Sequence, residues 1–76
     1  MSRLPIVGFK DMERLLFSLG FLAMRQKGSH VFYRHSGGRT TTLPNHGSRD
    51  LSRPLIREIL REIELSPDEF VKALGK

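Results

Sequence analysis

Two cations, a Gly-Ser pair and a histidine follow one another in Arg25-Gln26-Lys27-Gly28-Ser29-His30, and Val31-Phe32-Tyr33-Arg34 adds two aromatics and a further cation. An imidazole exchanges a proton near neutral pH, which suits it to general acid or base work. Lysine and arginine cations, a serine hydroxyl and exposed backbone N–H groups are what holds a phosphate and stabilises charge building on it. The chemistry open to this set is proton transfer at a phosphodiester. His30 would move the proton, Arg25, Lys27 and Arg34 would supply charge, and Gly28 and Ser29 would hold the phosphate. A lone histidine more often caps a strand or bonds a loop carbonyl, so function rests on the whole set.

Other residues leave alternatives. His46, in Pro44-Asn45-His46-Gly47, is either a second acid/base group or a side chain that locks its loop. No metal or other cofactor is expected. His30, His35 and His46 lack HExxH-type spacing, and the block containing them has no carboxylate. His30 and His35 are an odd number of residues apart and point to opposite faces of a regular strand. Phe32 and Tyr33 do the same. One packs under helices and the other faces outward, where it could stack on a base, and alternation alone does not decide which. Arg53, Arg57 and Arg61 line one side of a helix, either to grip phosphate or an acidic partner or as a solvated stripe helped by Glu58.

The elements that must position these groups follow from periodicity and punctuation. Phe9, Met12, Leu15, Leu16 and Leu19 recur at helical spacing, with Gly8 as N-cap and Gly20 as the left-handed residue past the end. Residues 21–27 read as a strand, Gly28-Ser29 as a tight turn, and 30–35 as a second strand. Ser36-Gly37-Gly38 turns the chain into a third strand over 39–43, rich in threonine and ended by Pro44. A loop over 45–50 leads to a second helix capped by Ser52 with Pro54 in its first turn, and Leu55, Ile56, Ile59, Leu60 and Ile63 form its apolar stripe. Ser66-Pro67-Asp68-Glu69 is a capping box that opens a short third helix with Phe70, Val71 and Leu74. The expectation is an α+β fold of order α-β-β-β-α, with a three-stranded antiparallel sheet, helices on one face and a short C-terminal helix.

Residues 1–76 are expected to form a single small domain, and the absence of cysteine excludes disulfides and thiolate chemistry. With no secretory h-region and no bilayer-spanning apolar run, a soluble, cytoplasmic protein is expected. Charge is asymmetric. Residues 1–57 carry ten Lys/Arg against three Asp/Glu, whereas residues 58–76 carry three against five. From Arg25 to Arg49 there are five basic side chains (Arg25, Lys27, Arg34, Arg39 and Arg49), all three histidines and no acid. That block points to a polyanionic partner, most simply a nucleic-acid backbone, although basic faces also serve solubility or acidic protein partners.

Gly20-Phe21, Arg25-Gln26-Lys27-Gly28-Ser29-His30, Leu43-Pro44-Asn45-His46-Gly47 and Ile59-Leu60, in this order, resemble the HicA toxins of bacterial and archaeal HicA–HicB toxin–antitoxin modules. The resemblance runs from about Leu4 to Leu74. It implies a double-stranded-RNA-binding-like fold and a ribosome-independent mRNA endoribonuclease that arrests growth. The family's catalytic histidine maps onto His30, and its adjoining glycine and serine onto Gly28 and Ser29. An HicB antitoxin that covers the active surface is the implied protein partner, giving a toxin–antitoxin hetero-oligomer. Pro54-Leu55 and Glu64 depart from the family at the ends of the second helix, where many members have Gly-Thr and a helix-ending glycine. The alternative reading is a non-catalytic RNA-binding module of the same fold, which has no need of His30.

Overall fold

The computed structural model describes residues 4–75. Helix α1 spans Phe9–Ser18, strands β1, β2 and β3 span Phe21–Lys27, His30–His35 and Thr40–Pro44, and helices α2 and α3 span Arg53–Ile63 and Pro67–Ala73. The strands form one antiparallel sheet in the order β1-β2-β3. This is the α-β-β-β-α order with a C-terminal helix.

One face of the sheet is covered and the other is open. Phe21, Val31, Tyr33 and Leu43 point from the strands toward Met12, Leu15 and Leu16 of α1 and Ile56, Ile59, Leu60 and Ile63 of α2, and Phe70 of α3 completes this core. The α2 positions recur at i, i+3, i+4 and i+7, the stripe that a helix must bury. Fifteen buried apolar residues make up the core among the described residues. In so small a domain, truncating one of them to Ala costs about 2–5 kcal/mol, a large share of a typical total stability of about 5–15.

The ends of the elements are set by local chemistry. Gly20 takes φ +94, and a Cβ there would lie 3.3 Å from His35 Nε2, so turn geometry and close approach both call for glycine. Ser52 Oγ accepts from Leu55 N and caps α2. Ser66 and Glu69 form a reciprocal capping box on α3. Between these helices Glu64, not glycine, holds the left-handed conformation at φ +60.

The third strand is shifted by one residue from the 39–43 expected. The carbonyl of Arg39 accepts from His35 N and closes the turn, so Arg39 belongs to the corner. Pro44 still stands opposite His30, which β3 tolerates as an edge strand.

Candidate active site

Tyr33 is fully buried, and its hydroxyl donates to Glu13 at 2.5 Å. Its neighbour Phe32 therefore faces the open side, half-buried, and His30 and Arg34 share that face as exposed side chains. His35 lies on the other face. Its ring packs 5.1 Å from that of Phe21, and its Nδ1 accepts from Gly37 N.

β1 contributes its cations to the open face through a bulge. Ala23 stands opposite Tyr33, but Arg25, not Met24, stands opposite Phe32, and Lys27 stands opposite His30. Directly paired residues share a face, so the extra residue Met24 reverses the alternation. Simple alternation from the buried Phe21 would have sent Arg25 and Lys27 under the helices. The bulge turns them outward beside Phe32 and His30, and the Arg25 guanidinium lies 5.5 Å from the Phe32 ring centroid.

The open face thus carries Leu22, Arg25 and Lys27 on β1, His30, Phe32 and Arg34 on β2, and Thr40, Thr42 and Pro44 on β3, with no acid among them. Among the described residues the ion pairs are Arg14–Asp11 and Arg61–Glu58, both on helices, and none engages Arg25, Lys27 or Arg34.

The corner beside His30 is held from two directions. Gly28 takes φ +61 while Ser29 stays at negative φ, the pattern of a II′ turn, and Gln26 Nε2 braces it by donating to Gly28 O. Asn45 N donates to Ser29 O at 2.6 Å, continuing the β2–β3 ladder one step past His30 and Pro44. The Asn45 side chain accepts from Gly47 N and shapes the loop that displays His46. Two segments well separated in sequence, Gly-Ser-His and Pro-Asn-His-Gly, meet through the pairing of His30 with Pro44 and this backbone bond beyond it. His46 is exposed, and among the described residues its imidazole makes no hydrogen bond; Asn45 braces the loop instead.

The other arginines stand apart from the open face. Arg39 does not join the open face: its Nη1 donates to Ile63 O at the end of α2, and its Nη2 lies 3.2 Å from His35 Nδ1. The basic stripe on α2 is divided, since Arg53 Nε donates to Leu4 O and Arg61 pairs with Glu58. Arg57 is exposed. The Arg61–Glu58 pair is the one that the i, i+3 spacing on the helix offered, whereas the spacing announced neither Leu4 O for Arg53 nor Ile63 O for Arg39, because each of those acceptors lies on another segment.

Both α1 and α2 start at the His30 end of the sheet. Gly8 bridges to Asp50, and a groove there is lined by Phe9, Asn45 and Gly47. Asp11, Glu13 and Asp50 also line that groove and offset the positive helix ends, so the cationic surface is the open sheet face itself. A second groove, lined by Phe9, Glu13, Met24, Arg25 and Asn45, passes behind the bulge without reaching His30. His30 lies on an accessible surface, not in a cleft. Among the described residues no group of three or more His, Asp or Glu side chains is arranged to hold a metal ion, and no helix is long and apolar enough to cross a membrane.

A family model described as "HicA toxin of bacterial toxin-antitoxin" matches residues 9–65, from α1 to just beyond α2. The chain belongs to the HicA toxin family. Comparison with curated protein sequences finds no match. Membership makes this chain a toxin component of a toxin–antitoxin module, and the match contains both the Gly-Ser-His corner and the Pro-Asn-His-Gly loop.

Proposed function

We propose that this HicA-family chain is a ribosome-independent, metal-independent mRNA endoribonuclease with His30 as its catalytic base, and that an HicB antitoxin inhibits it by covering the open sheet face. The observation that carries this reading is the company of His30. It is exposed on an acid-free surface, opposite Lys27 and Pro44, beside the turn joined to the Asn45 loop.

In the proposed reaction His30 takes the proton from a ribose 2′-OH as that oxygen attacks the adjacent 3′-phosphate. The bond to the 5′-oxygen of the next nucleotide breaks, leaving a 2′,3′-cyclic phosphate and a free 5′-OH. Lys27 and Arg25 stabilise the charge on the pentavalent phosphorus centre. Gly28 and Ser29 hold a phosphate oxygen, and Arg34 binds the strand further along. The leaving oxygen needs a proton, and His46 supplies it. Its exposure beside the loop bonded to Ser29, with no partner for its imidazole among the described residues, supports that role over loop locking.

The test is incubation of RNA with the purified chain in EDTA, with and without His30→Ala. Cleavage by the parent to 2′,3′-cyclic phosphate ends is expected. The variant should lose at least a hundredfold in rate, in line with the contribution of general acid–base catalysis, about 10²–10⁴-fold, and should keep its fold and RNA affinity. Full cleavage by the variant would remove His30 from the reaction. RNA binding without cleavage by the parent would leave a binding module.

A further inference from the structure

Phe32 is an anomaly in the packing. It sits in the central strand with Arg25 and Thr42 directly opposite it, yet it faces away from the core that Tyr33 occupies. A large apolar ring on an unpartnered face gains nothing from the helices. What it has is a cation over it and cations around it, with Arg25 5.5 Å from its centroid and Arg34 next along the same face.

We propose that Phe32, with the Arg25 guanidinium laid over its ring, is a stacking platform that seats one unpaired nucleobase of the RNA, one nucleotide from the phosphate at His30. The inference rests on the reading of RNA as the ligand of this face.

Three features select the occupant. The face has no acid, so a polyanion crosses it without like-charge contact. Phenyl rings and guanidinium planes are the two side-chain surfaces on which bases of single-stranded RNA stack. The bulge at Met24 brings one of each into register at a single point. Phe32 also lies two residues from His30 on the same strand, about 6.7 Å, a spacing suited to a phosphate at one position and its neighbour's base at the other. A base already paired in a duplex shows no free face to such a platform, and the deep, narrow major groove of A-form RNA admits no side chain to reach one. The site therefore selects unpaired RNA. By fixing which nucleotide is anchored, it also sets which bond meets His30.

The experiment uses the full chain carrying His30→Ala, so that the RNA stays intact, and a single-stranded oligoribonucleotide with 2-aminopurine at successive positions. Stacking quenches the probe. Quenching at one position is expected, with Phe32→Leu weakening affinity roughly 5- to 150-fold and abolishing the quench. Phe32→Tyr should restore both, and Arg25→Lys, which keeps charge but loses the plane, should show part of the loss. A fully paired duplex should bind the same whichever residue is at position 32. Thermal melts of each variant check the fold. Phe32→Leu binding and quenching like the parent would overturn the proposal, as would equal losses on single-stranded and duplex RNA. So would unchanged RNA affinity with a loss of antitoxin binding alone, which would make Phe32 a protein contact. These readouts need no cleavage. An intact Phe32-dependent quench, together with a parent chain carrying His30 that never cuts RNA, refutes the nuclease reading and leaves the platform standing.

Discussion

Tyr33 shows what one buried hydroxyl does to the stability of this domain. Its ring is fully enclosed, and its O–H reaches Glu13 on α1, tying the central strand to the helix above it. Burial, first, and then the hydrogen bond and charge of Glu13 push the phenol well above its ordinary range. The folded chain therefore holds this proton more tightly than the unfolded chain does. The associated stability is fully present below the unfolded value, about pH 10, and is lost as pH rises beyond it. Tyr33→Phe should cost about 1–2 kcal/mol at neutral pH, the worth of a hydrogen bond to a carboxylate that water partly replaces. It should also flatten the fall in stability above pH 10. Urea melts of both proteins from pH 8 to 11 check the two effects, and parallel curves throughout would contradict the linkage.

Among the elements, the join between α2 and α3 departs most from what its geometry favours. Glu64 is exposed and left-handed, a conformation that costs an L-residue about 1–2 kcal/mol and glycine almost nothing. Glu64→Gly should therefore stabilise the chain by about 0.5–1 kcal/mol after the extra freedom of glycine in the unfolded state is subtracted. That corresponds to a rise in Tm of about 2–6 °C, and an unchanged or lower Tm would show that Glu64 gains something from its side chain. The change is far from His30, so RNA cleavage should stay at the parent level. At the opposite end of α2 the departure of Pro54-Leu55 from the family pattern is accommodated by Ser52, which caps the helix with Pro54 in its first turn.

At the scale of the whole molecule, charge is sorted by location. Arg39 is spent on the C-terminal carbonyl of α2 and Arg61 on Glu58, whereas Arg25, Lys27 and Arg34 stay exposed on one face. Three phosphate contacts to a single strand predict a slope of log K against log salt of about −2, or roughly a 20-fold loss of affinity between 50 and 200 mM salt. Arg34→Ala should reduce that slope by about 0.7. Arg39→Ala should leave the slope unchanged while lowering Tm, because it unfastens the β3 corner from α2. Salt titrations of RNA binding by the three proteins distinguish a phosphate-binding arginine from a structural one, and equal slopes for all three would refute the sorting.

The sequence by itself determined the order of the elements, the turns at Gly20 and Gly28, the caps at Ser52 and Ser66, and the acid-free block around His30. These are local properties, set by period, backbone conformation and composition. It also showed that Phe32 and Tyr33 must part company, because neighbouring strand residues alternate. Only the tertiary structure decided which of them meets the helices, since alternation names two faces without saying which one is covered. The bulge at Met24 was equally hidden, because it exists only in the register between β1 and β2, and it alone turns Arg25 and Lys27 toward His30. The bond from Asn45 to Ser29 makes one corner of two distant motifs, and the diversion of Arg39 to Ile63 removes a cation from the site. Each depends on groups that pairing and packing bring together across the chain, so the candidate residues were legible one by one and their assembly was not.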